Sequence, residues 1–147
     1  MLRTFAGIVT ILLTVGVYGS TDYQPTTFIK DTKLIGSLHQ NNEVEMFLGI
    51  PFAVPPINDL RWEKPIAWTP ENKKEITANK FRAACIQNQR IVNWYKRLIL
   101  DFGSDPRTFD IPEFSEDCLY LNLWRPRELK NNLPVIVYIH GGSNKAG

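Results

Sequence analysis

Residues near the end of the chain have the types and spacing for chemistry on a carbonyl group. The apolar run Val135-Ile136-Val137-Tyr138-Ile139 is followed at once by His140-Gly141-Gly142-Ser143. A Gly-Gly turn after a strand lets backbone N–H groups approach a ligand closely, because no Cβ stands in the way. Such N–H groups can hold the negative oxygen that forms when an ester carbonyl is attacked. The attacking group is another matter. None of Ser20, Ser37, Ser104, Ser115 and Ser143 stands in Gly-X-Ser-X-Gly, the sharp turn that exposes a nucleophile. No serine has a histidine and an orienting acid that the sequence places around it. His39 sits in a polar turn and reads as a solvated residue, and His140 reads as an orienting residue at a strand end. Glu116 and Asp117 are adjacent, so on a strand they point to opposite faces, which is poor geometry for shared acid–base work.

The elements that must position these residues follow from periodicity. Val135 to Ile139 does not alternate with polar residues, which predicts a strand covered on both faces, as in the centre of an α/β sheet. Nothing up to Gly147 supplies the helices that such a strand needs, and left bare it would be an aggregation site. The chain therefore reads as the front of a larger α/β domain. Thr26 to Ile35 carries β-branched residues and alternation, Gly36 to Asn42 is turn-rich, and Glu43 to Ile50 is a second strand. Together they predict an antiparallel N-terminal hairpin. Pro51, Pro55, Pro56 and Pro65 make Pro51 to Trp68 an ordered irregular segment, pinned by Phe52, Trp62 and Trp68. Ala83 to Asp101 is helical in part, with Ile91, Trp94, Tyr95, Leu98 and Ile99 on one face. Phe102 to Pro112 is a loop, Leu119 to Trp124 a strand, and Arg125 to Pro134 a polar turn region.

Composition sets the class. With 147 residues, 44% apolar and 12% aromatic, the chain is long and apolar enough for a core. A formal charge of +2 with scattered Lys and Arg points away from nucleic acid and from anionic membranes. Arg3 precedes an apolar stretch from Phe5 to Val17, and small residues lead to a cleavage point after Gly19. This pattern is a secretory signal peptide over residues 1–19. The stretch is shorter than the roughly 20 apolar residues that a spanning helix needs. The mature chain, from Ser20, is expected outside the cell with no membrane span, and no Asn-X-Ser/Thr sequon is present.

Secretion bears on the two cysteines. In an oxidising compartment an even pair reads as a disulfide before it reads as a metal site or a nucleophile. A Cys85–Cys118 bridge closes a loop that stabilises by about 3–4 kcal/mol in the chain-entropy model. The alternative is two buried free thiols.

Three blocks taken together identify a family. They are Phe47-Leu48-Gly49-Ile50-Pro51-Phe52-Ala53-Val54-Pro55-Pro56 with Leu60-Arg61-Trp62, then Ser115-Glu116-Asp117-Cys118-Leu119-Tyr120-Leu121-Asn122-Leu123-Trp124-Arg125-Pro126, then the terminal His140-Gly141-Gly142. In this order they resemble the type-B carboxylesterase/cholinesterase family, from about Leu34 to Gly147. The resemblance implies an α/β-hydrolase fold, of which residues 20–147 are the N-terminal part, ahead of the nucleophile elbow. It implies a serine esterase that hydrolyses carboxylic esters without cofactor or metal, with a small-molecule ester as substrate. It implies that Gly142 and Ser143 donate N–H groups to the oxyanion, and that Gly141 makes the turn. Ser143 stands where the family has glycine, and Asn144 where it has an aromatic. The resemblance further implies that Arg61 and Glu116 form a buried structural ion pair, and that the loop closed by Cys85 and Cys118 lines a wall of the active-site gorge. Trp94 and Tyr95 on that loop are accounted for by helix packing. Cholinesterase-like adhesion proteins, which keep the fold and lose the triad, are the other reading of the same blocks.

Overall fold

The computed structural model describes residues 23–70, 74–88, 90–128 and 132–142. The predicted signal peptide lies outside them. The β-branched stretch that follows forms two strands, β1 (Thr26–Ile29) and β2 (Thr32–Ile35), paired antiparallel with Ile29 opposite Thr32. Lys30 takes a φ of 51° in the two-residue turn between them. A positive φ there matches the twist of the flanking strands. The expected hairpin of Thr26–Ile35 with Glu43–Ile50 is thereby corrected: the first stretch folds back on itself.

Gly36 then carries the chain from one sheet to the next. A Cβ at this position would stand 2.4 Å from the Met46 carbonyl oxygen and 2.9 Å from the Phe47 ring. Beyond it, β3 (Ser37–Leu38) pairs antiparallel with β4 (Val44–Pro51), and β8 (Tyr120–Pro126) pairs antiparallel on the other side of β4. In the first sheet, β5 (Glu75–Thr77) runs parallel to β2. A third, two-stranded piece joins β6 (Ala84–Cys85) in parallel to β7 (Phe114–Ser115).

The core sits between the first two sheets and is built by Leu34, Phe47, Ile50 and Ala78, with Ile29 and Ile76 packed against it. Phe47 and Ile50 are three residues apart, an odd spacing that would put them on opposite faces of a regular strand. A β-bulge resolves this. Phe47 opposes Leu123 and Ile50 opposes Leu121, so Leu48 and Gly49 together face Asn122. The extra residue shifts the parity of β4 and returns Ile50 to the core side. Gly49 adopts a φ of 71°.

The proline-rich segment is ordered through its backbone. Val54 N–H donates to Ile66 O at 2.8 Å and Trp68 N–H to Phe52 O at 3.1 Å, around a short 3-10 turn at Asn58–Leu60. Trp68 is half-buried. Trp62, expected as a pin, is instead 93% exposed. Its backbone takes a φ of 68°.

The helix is shorter than its pattern. α1 covers Arg90–Asp101, because Ala84 and Cys85 are held extended in β6. Asn88 accepts the Arg90 N–H at 2.9 Å and starts the helix. At the other end Gly103, with φ 74°, donates to Leu100 O, and Ser104 donates to Ile99 O, which satisfies the last carbonyls. Val92 is the buried residue of α1, although the expected face omitted it. Trp94 and Tyr95 are about half exposed, since α1 packs on the turn Pro106–Thr108 rather than on a sheet.

The largest departure is at the terminal run. Val135 to Ile139 forms no strand and pairs with none among the described residues, and its residues are 79–91% exposed. The cover that this run needs is not supplied by the described residues, in line with the reading of the chain as the front of a larger domain, while the strand pairing expected of it is not formed among them. No described element reaches either of its faces, so its apolar side chains stand in solvent.

Candidate functional site

The terminal turn is the first part of the candidate site. His140 and Gly141 are exposed, and His140 Nδ1 lies 3.0 Å from the Gly141 carbonyl oxygen. A Cβ built on Gly141 would meet nothing within 4 Å, and Gly141 lacks a positive φ. The conformation that favours glycine falls one residue later, at Gly142 with a φ of 133°. The positive φ thus lies at Gly142, beside the expected turn residue Gly141. Ser143 lies outside the described residues.

The second part is where the first two sequence blocks cross. Three contacts join them in succession along β4 and its extension, preceded by a fourth from Glu45, two residues ahead of the first block. Glu45 stands directly opposite Arg125, and Arg125 Nε donates to Glu45 Oε2 at 2.6 Å. Gly49 N–H donates to Asn122 Oδ1 at 2.8 Å. Phe52 N–H donates to Leu119 O at 3.1 Å. Arg61 Nε then meets Glu116 Oε1 at 2.5 Å. The first rests on the buried Glu45 side chain, the second is part-buried, the third is a backbone bond, and the fourth lies toward the surface.

The Arg61–Glu116 pair needs a correction. The two side chains are 60% and 33% exposed, so the pair is not buried in the described chain. Solvent screens it, and pairs of this kind contribute about 0–1 kcal/mol. The buried pair is Glu45–Arg125, with Glu45 only 1% exposed. Arg125 also donates to Thr26 O at 2.9 Å and lies over the Phe47 ring, 5.0 Å from its centre. The Tyr23 hydroxyl donates to the other oxygen of the Glu45 carboxylate. This hydrogen bond, together with the carboxylate charge, raises the Tyr23 phenol above its ordinary value. Sequence reasoning missed this cluster. The available signal was parity, since Glu45 shares the inward face of β4 with Phe47.

Asn122 was missed as well. It sits in the most family-specific block, and its side-chain oxygen satisfies the N–H that the bulge at Gly49 removes from the ladder. A Cβ on Gly49 would lie 2.6 Å from Arg82 Cγ and 2.8 Å from Lys80 O. Glycine is required there by both conformation and space.

Cys85 and Cys118 are joined by a disulfide, with Cα atoms 5.0 Å apart. The bridge stands beside the β6–β7 ladder, where Cys85 pairs with Ser115. Together they close the excursion that carries α1. Asp117 accepts a hydrogen bond from the Tyr120 hydroxyl at 2.8 Å. Burial, and then this bond to Asp117, raises the Tyr120 phenol. Glu116 and Asp117 lie in a bend between β7 and β8 rather than on a strand. Each has its own partner, Arg61 and Tyr120, and they do not act as an acid pair. On the excursion Trp94 meets Tyr95 edge-on at 4.9 Å, and Tyr95 stacks on Phe109 at 5.8 Å.

The block crossing and the terminal turn are not brought together: no strand pairing connects the turn to β8 among the described residues. A cleft of about 240 Å³ opens between Lys80–Ala83 and Pro112–Glu113, and none of the sequence-predicted residues lines it. Among the described residues, no helix is long and apolar enough to cross a membrane.

Comparison with known proteins bears on this geometry. The chain is 38% identical over 109 residues to "Fumonisin B1 esterase" of Sphingopyxis macrogoltabida, which covers 71% of this chain and 17% of that protein. It is 38% identical over 123 residues to "Carboxylesterase 5A" of Mus musculus, covering 80% of this chain and 19% of the relative. Among solved structures, a thermophilic PNB esterase superposes with a TM-score of 0.65 at 28% identity, covering 83% of this chain and 22% of that one. Aspergillus niger EstA superposes with a TM-score of 0.61 at 26% identity, over 84% of this chain and 20% of that one. The chain thus spans about a fifth of the length of these relatives, and its sheets are a portion of the α/β-hydrolase fold. The model of the carboxylesterase family matches residues 24–147, which takes in the bulge, the disulfide, the Arg61–Glu116 pair and the glycine turn in one run, and the chain belongs to that family.

Proposed function

We propose that this chain is part of a carboxylic-ester hydrolase that works through a serine acyl-enzyme. The observation that carries the proposal is the family match across residues 24–147, with relatives named as esterases. In this account the nucleophilic serine, its histidine and its acid come from outside these 147 residues, and the 147-residue chain alone is inactive. Gly142 and Ser143 supply N–H groups to the oxyanion of the tetrahedral intermediate, with Gly141 and His140 shaping the approach. Gly142 already holds a backbone conformation suited to glycine. One such donor is typically worth about 3–4 kcal/mol of transition-state stabilisation. The substrate class is a small-molecule carboxylic ester, and the chemistry calls for no metal or cofactor. The excursion closed by Cys85–Cys118 forms part of the wall around the ester. Secretion follows from the leader over residues 1–19, with the mature domain beginning at Ser20.

The experiment is to read the coding sequence beyond Gly147 and assay the encoded protein on p-nitrophenyl acetate. The expected outcome is a Gly-X-Ser-X-Gly elbow and hydrolysis that a serine-directed fluorophosphonate abolishes. A frame that continues through the domain without that serine, in a folded protein that hydrolyses no ester, overturns the proposal in favour of a binding protein of the same fold.

A further inference from the structure

We draw no further inference here: the strongest candidate, the exposed apolar segment Val135–Ile139 together with the edge of β8 that faces away from β4, carries nothing because nothing in the structure shows what covers it.

Discussion

At the scale of single residues, the polar and charged side chains of the second block serve mostly architecture. Asn122 is the clearest case. Its side chain replaces the backbone partner that the bulge denies to Gly49. Asn122→Ala leaves that N–H without its acceptor in a part-buried position, and the expected cost is about 1–3 kcal/mol in a denaturant melt. Asn122→Asp keeps an acceptor oxygen and should lose less. Equal losses for the two variants would show that the hydrogen bond is not what matters. The two ion pairs give a second residue-scale test. Arg125→Ala strands a carboxylate that is 1% exposed, with an expected loss of about 3–5 kcal/mol. Arg61→Ala removes a partner that solvent largely replaces, with an expected loss of about 0–1 kcal/mol. Thermal or chemical unfolding of both variants checks the order, and a larger loss at Arg61 would contradict it.

At the scale of elements, the disulfide and the β6–β7 ladder act at one place. They close an excursion whose helix packs on its own neighbouring turn. The covalent bond and the ladder therefore share its closure. Cys85→Ser with Cys118→Ser is expected to lower stability by about 3–4 kcal/mol, measured by denaturant unfolding against the oxidised parent. A loss below about 1 kcal/mol would mean that the ladder alone holds the base of the excursion.

Legibility differs between elements for physical reasons. β8 and most of α1 were readable because alternation and helical spacing are local signals. The split of Thr26–Ile35 into two strands was not, because it depends on one residue, Lys30, accepting a positive φ. The bulge was not readable either. Nothing in Phe47-Leu48-Gly49-Ile50 states which residue loses its partner until β8 lies alongside. The exposure of Trp62 is a tertiary fact with no local signature, whereas the bareness of Val135–Ile139 followed from an apolar run with no helices to cover it. For the candidate site, the pairing of Arg61 with Glu116 came from family resemblance, whereas Glu45–Arg125 was hidden by long sequence separation. In the terminal Gly-Gly pair the positive φ lies at Gly142, which the sequence does not distinguish from Gly141.

At the scale of the whole molecule, the described chain holds one crossing of two sequence blocks and one separate glycine turn. The crossing is a scaffold: a buried ion pair, a bulge lock, a backbone bond and a surface ion pair in a row. The turn is the part with chemical potential, and in the proposed esterase it serves a serine that these residues do not contain. The Gly142 N–H is proposed to stabilise the oxyanion, and the direct measurement is kcat for p-nitrophenyl acetate in the complete encoded protein with glycolic acid in place of Gly142, an amide-to-ester change that removes that N–H and leaves the backbone free to keep its positive φ. A fall in kcat of about 100- to 1,000-fold is expected, with the fold intact by circular dichroism. An active parent enzyme whose kcat is unchanged by the substitution would contradict it.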